Sequence, residues 1–96
     1  MSLVFEWDPR KARSNLRKRH VSFAEAVSVF ANPLARIFPD EEHSGEEVRE
    51  IIIGHSHLQR LLLVCFTELG ADRVRIISAR RAAPEEQNDY EEHVTN

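Results

Sequence analysis

One cysteine, three glycines and no apolar run near the ~20 residues that span a bilayer set the first limits on this 96-residue chain. A lone Cys65 can neither close an internal disulfide nor build a cysteine-ligand zinc site. Within the apolar run 61–66 it reads as a buried thiol in a reducing cytoplasm. Gly45, Gly54 and Gly70 all fall at predicted loops or turns, so neither a phosphate-binding loop nor a dinucleotide glycine pattern exists, and nucleotide hydrolysis is not expected. The N-terminus passes at once from Val4-Phe5 to Glu6, Trp7 and Asp8 instead of into a secretory h-region. No helix-turn-helix signature is present, which argues against direct operator binding.

What the chain does have is charge sorted by sign. Its formal net charge is only −3, yet residues 10–19 carry six bases and no acid, while residues 40–50 carry six acids against Arg49 alone. Residues 85–92 add five acids and no base. Separation on this scale, more than the total, points to a charged partner.

The element order follows from local chemistry. Residues 4–7 are β formers and predict an opening strand, which Asp8-Pro9 ends. Asp at N-cap with Pro at the first position starts a helix over 10–18. Its apolar face is thin, Ala12 and Leu16, and the stripe Lys11, Asn15 and Lys18 reads as solvated. Ser22 and Glu25 then form a capping box with Val21 stapled to Ala26, and Phe23, Ala26, Val27 and Phe30 make a core-facing helix that Asn32-Pro33 stops. Residues 34–38, between two prolines, predict an edge strand, and acidic residues 40–47 a loop. Strands over 48–55, 60–68 and 73–81 form a meander, followed by a short helix over 84–93. The expected fold is a single α+β domain over 1–96: a small antiparallel sheet, the three-strand C-terminal meander plus N-terminal strands, with two N-terminal helices and a short C-terminal one.

The last strand is unusual in holding four of the thirteen Lys and Arg residues. Strict alternation puts Arg73, Arg75, Ile77, Ala79 and Arg81 on one face and Val74, Ile76, Ser78 and Arg80 on the other. Guanidinium groups suit bidentate phosphate contact, although by themselves these arginines are more readily explained by pairing with acids on the next strand. Metal-free RNA cleavage needs a base for the 2′-hydroxyl, an acid for the leaving oxygen and cations for the phosphorane. His20, Lys18, Glu47 and Glu68 have the chemistry for the first two roles, and Arg49, Arg80 and Arg81 for the third. Lys11, Arg17, Arg19 and Arg75 are the candidate RNA contacts. His55 and His57, with Glu47 or His43 nearby, have metal-ligand chemistry but read as a solvated hairpin, so neither metal nor cofactor is expected.

Four segments resemble one known family. They are Phe5-Glu6-Trp7-Asp8-Pro9-x-Lys11-Ala12-x-x-Asn15, Val21-Ser22-Phe23-x-Glu25-Ala26, Glu47-Val48-Arg49-x-x-x-Ile53-Gly54 and Arg75-Ile76-Ile77-Ser78-Ala79-Arg80-Arg81-Ala82. In this order they are similar to the BrnT toxins of bacterial type II toxin–antitoxin modules. The resemblance implies a RelE-like fold and a ribonuclease activity that inhibits translation. It also implies neutralisation by a BrnA-like ribbon-helix-helix antitoxin, in a hetero-oligomer that reaches operator DNA only through that antitoxin. It supports Lys18, Arg49, Arg80 and Arg81 as site residues, with His20 as a displaced imidazole, since Lys18-Arg19-His20 stands where Lys-His-Gly is usual. A second departure is the acidic stretch 83–90, where similar proteins are basic. The alternative reading is a catalytically weakened or non-catalytic module that docks an antitoxin and acts in operon autoregulation.

Overall fold

The computed structural model describes residues 2–95. Its elements run β1 (Val4–Glu6), α1 (Pro9–Arg19), α2 (Phe23–Val29), β2 (Arg36–Pro39), β3 (Glu50–His55), β4 (Leu61–Glu68), β5 (Arg73–Arg81) and α3 (Pro84–Thr95). The strands form a five-stranded sheet in the order β1-β5-β4-β3-β2. The α+β class and the antiparallel meander β3-β4-β5 are as expected. One edge differs: β1 pairs parallel with β5, Val4 opposite Arg73, so the sheet is mixed. Two helices separate β1 from the next strand, so no hairpin turn dictates its direction, and the open edge of β5 takes it up.

Both helix starts are built as their residues dictate. Asp8 Oδ1 accepts from Arg10 N at 2.8 Å and Ser22 Oγ accepts from Glu25 N at 3.0 Å. The reciprocal half of the second capping box is missing, because the Glu25 carboxylate is buried and turned toward the β3–β4 hairpin. There it accepts from Ser56 Oγ at 2.7 Å and from Arg60 Nε at 2.8 Å, with a further contact to Arg60 Nη2. Charge-assisted bonds to a guanidinium outcompete a single backbone N–H for that carboxylate, and the Arg60 bond holds it below the usual glutamate range.

The main core lies between the sheet and α1–α2. Phe23, Val21 and Val29 meet Leu62, Val64 and Phe66 of β4 and Ile76 of β5, all nearly or fully excluded from solvent. Burial on this scale stabilises by about 1.5–3 kcal/mol per large side chain. The opposite face carries a smaller cluster in which Tyr90 of α3 packs on Ile53, Leu61 and Leu63 and donates its hydroxyl to Leu34 O at 3.0 Å. Close approach is enforced at Gly54, where a Cβ would lie 2.8 Å from Ala35 Cβ. Among the described residues no helix is long and apolar enough to cross a membrane.

Candidate active site

The register of β5 on β4 sets the site. Cys65 faces Ser78 but the next residue, Phe66, faces Ile76, so Ile77 is the extra residue of a β-bulge. Strict alternation over 73–81 is therefore corrected. Below the bulge Val74 and Ile76 face the helices; above it Ala79 takes over that face, and Arg80 moves to the opposite side with Ser78 and Arg75. Directly opposed residues of an antiparallel pair share a face, so Arg80 stands beside Leu63, and Arg81 beside Leu62 on the helix side.

Beyond the three residues covered by β1, the outer edge of β5 is open, and a side chain closes it. Asn15 of α1 donates from Nδ2 to Val21 O at 2.8 Å and Ala79 O at 2.9 Å, and its Oδ1 accepts from Ala79 N at 3.0 Å. The amide thus pairs with Ala79 as a neighbouring strand would. Reading Asn15 as solvated is corrected: it is buried, because the bulge leaves a peptide donor and acceptor that need partners.

Anchoring α1 there brings its basic face alongside the bulge. A groove of about 330 Å³ opens on the sheet face away from the main core, its walls including Asn15, Arg19, Arg49, Cys65, Ser78 and Arg80. A second hollow shares Asn15, Arg19, Ile77 and Ser78 and extends the groove past Lys11 and Lys18. The far wall is the loop between β2 and β3, pinned across its base by Asp40 N donating to Arg49 O at 2.9 Å. Ser44 Oγ accepts from Arg49 N at 3.0 Å and donates to Asp40 O at 2.8 Å. This clasp aims Arg49 and His43 into the groove.

Electrostatics within the groove are uneven. Arg49 Nε is buried and has no hydrogen-bond partner among the described residues; Glu47 Oε1 is 3.5 Å away. Arg80, in contrast, is engaged. Its Nη1 and Nη2 each donate to a Glu86 carboxylate oxygen at 2.7 Å, and Glu86 Oε1 also accepts from Ala83 N at 2.8 Å at the start of α3. The Arg80 bonds draw the Glu86 carboxyl down to about 2. Burial pushes the Cys65 thiol up to about 11, and Asp40 beside it adds to that, so Cys65 is no nucleophile.

The other residues singled out by sequence stand elsewhere. His20 ends α1 in the left-handed region (φ 59°), exposed, its carbonyl accepting from Arg60 Nη2 at 3.0 Å. Arg17 and Arg81 are exposed and do not line the groove. Arg75 is ion-paired, with Glu6 at 3.5 Å and Glu47 at 4.0 Å. Glu68 is exposed at the end of β4. His57 lies against Ser28, and the His55 ring packs on Tyr90. Among the described residues no three His, Cys, Asp or Glu side chains cluster as a metal site.

Sequence reasoning weighed His43 only as a possible metal ligand near His55 and His57, and did not pair it with Asp40. The His43 ring sits with Nδ1 3.0 and 3.1 Å from the two Asp40 carboxylate oxygens, at the rim of the groove. The available signal was an Asp and a His three residues apart, the His six residues before Arg49 at the entry to β3, but only the β2–β3 clasp turns that spacing into a pair facing Arg49.

A model of the ribonuclease toxin BrnT, of type II toxin–antitoxin systems, matches residues 7–86. The chain belongs to the BrnT family. The crystal structure of the Brucella abortus ribonuclease toxin BrnT matches this BrnT chain with a TM-score of 0.63 and 25% identity, over 86% of this chain and 97% of that one. No curated protein matches. As a BrnT toxin of the type II class, the chain has an antitoxin as its partner. The match extends over both walls of the groove and ends at Glu86, the residue that holds Arg80.

Proposed function

We propose that this BrnT family member cleaves RNA in the groove between α1 and the β2–β3 loop, without a metal ion, and so inhibits translation in the cytoplasm. Arg49 and Arg80 hold the scissile phosphate and stabilise the phosphorane, and Lys11 and Arg19 guide the neighbouring backbone. Lys18 protonates the leaving oxygen. The observation that carries the reading is Arg49, a cation whose buried Nε has no hydrogen-bond partner among the described residues, with only Glu47 Oε1 at 3.5 Å as counter-charge, and which faces Arg80 and Arg19 across one cavity. Charge-assisted donors aimed at developing negative charge are commonly the largest electrostatic contribution to such a reaction. A BrnA-like ribbon-helix-helix antitoxin silences the enzyme by covering this groove, and the hetero-oligomer contacts operator DNA through the antitoxin alone.

One observation favours a second reading. With both oxygens of Glu86 on its fork, Arg80 already has an anionic partner. On this reading the chain is a weakened nuclease that mainly binds its antitoxin and serves autoregulation.

Purified protein incubated with RNA in EDTA separates the two. The first reading expects cleavage that falls about 10²–10³-fold on Arg49→Ala with the melting curve unmoved, and that stops when antitoxin is added. RNA left intact by well-folded protein, both free and on translating ribosomes, rejects it in favour of the second.

A further inference from the structure

We propose that His43 is the general base that takes the 2′-hydroxyl proton, and that Asp40 is the positioning residue that orients its ring; this rests on the ribonuclease reading above. The Asp40 side chain is nearly buried, at 10% exposure, whereas His43 is 62% exposed and reaches out over the groove. An ionised carboxylate only accepts hydrogen bonds, so with Nδ1 3.0–3.1 Å from both Asp40 oxygens, Nδ1 carries a proton, and in the neutral ring the free lone pair is then on Nε2. Asp40 is itself fixed by its backbone bond to Arg49 O and by a weak Cys65 Sγ donor at 3.7 Å. Base and phosphate-holding arginine therefore hang on one clasp.

The other candidates fit the role less well. His20 lies outside the groove, with its carbonyl tied to Arg60. Glu47 is paired with Arg49 and Arg75, and Glu68 is at the far end of β4. A lysine ammonium has protons to donate and no lone pair, which suits Lys18 to the opposite role.

In the reaction, O2′ attacks phosphorus as its proton passes to His43 Nε2, and the bond from phosphorus to O5′ breaks. The products are a 2′,3′-cyclic phosphate and a 5′-hydroxyl, the latter protonated by Lys18. Exchange with water returns the proton from His43 and restores Lys18. No redox partner is involved.

The test is single-turnover cleavage of an RNA oligonucleotide and of ribosome-bound message by the purified full chain. His43→Ala is expected to slow cleavage about 10²–10⁴-fold with RNA affinity and melting unchanged, and added imidazole to restore rate in proportion to its concentration. Asp40→Asn is expected to lower kcat while KM holds. Should the loop variant shift the melt, His43→Gln, which keeps a donor toward Asp40, supplies the same comparison. A His43→Ala enzyme as fast as the parent, or a loss that imidazole leaves untouched, overturns the assignment alone. A parent inert on both substrates overturns the ribonuclease reading and this assignment together.

Discussion

Replacing Glu86 by glutamine removes one charge from the Arg80 fork while keeping an oxygen for the Ala83 N–H. The fall of the Glu86 carboxyl from an ordinary 4.5 to about 2 corresponds to roughly 3 kcal/mol in an unscreened setting. The Arg80 and Glu86 side chains are 41% and 32% exposed, and solvent screening reduces this to about 1–2 kcal/mol. Since the folded pKa lies below the unfolded one, the stabilisation is complete above pH ~4.5 and is lost as pH falls toward 2, so at neutral pH the clamp is closed. A phosphate must displace that carboxylate to reach Arg80. Glu86→Gln should therefore tighten RNA binding by about 5–30-fold at low salt, with a smaller gain at high salt, and lower Tm by roughly 5–10 °C. Titration of an uncleavable 2′-deoxy-substituted oligonucleotide by fluorescence anisotropy reads the affinity. Repeating the substitution on an Arg80→Ala background should abolish the gain. Equal tightening on both backgrounds would show that Glu86 acts only through net charge, and no tightening would show that Arg80 is a structural partner of α3 and not a phosphate ligand.

Other substitutions probe the scaffold beneath the site. Arg60→Ala strands the buried Glu25 carboxylate and should cost about 3–5 kcal/mol in urea unfolding, whereas Glu25→Gln with Arg60→Met together should cost much less. Asn15→Ala leaves Ala79 N–H and C=O unpaired at the bulge; a loss of about 2–4 kcal/mol is expected, with hydrogen exchange at Ala79 accelerating first. Gly54→Ala drives a methyl to 2.8 Å from Ala35 Cβ, and thermal melting should report about 1–3 kcal/mol of destabilisation.

The limits of β5, its meander with β3 and β4, and both helix starts were legible because each rests on short-range chemistry: β-branched runs, Asp8-Pro9, and Ser22 three residues before Glu25. The faces of β5 were not. Alternation has no means of announcing that Ile77 is extra, and one inserted residue exchanges Arg80 for Arg81 at the groove. Asn15 escaped for a related reason, since its partner Ala79 lies 64 residues away and needs the bulge to become unpaired. Glu25 looked like a capping residue because its distant competitor, Arg60, is invisible locally. Asp40 and His43 sat within what read as an acidic loop. Their spacing acquired meaning only when β2 and β3 paired and Asp40 closed on Arg49.

Whether Arg49 and its neighbours form an RNA-cleaving groove is decided by the single-turnover rate of purified Arg49→Ala against the parent on RNA in EDTA. A loss of about 10²–10³-fold with an unmoved melting curve is the result expected. An Arg49→Ala protein that cleaves at the parent's rate would contradict that role for the groove.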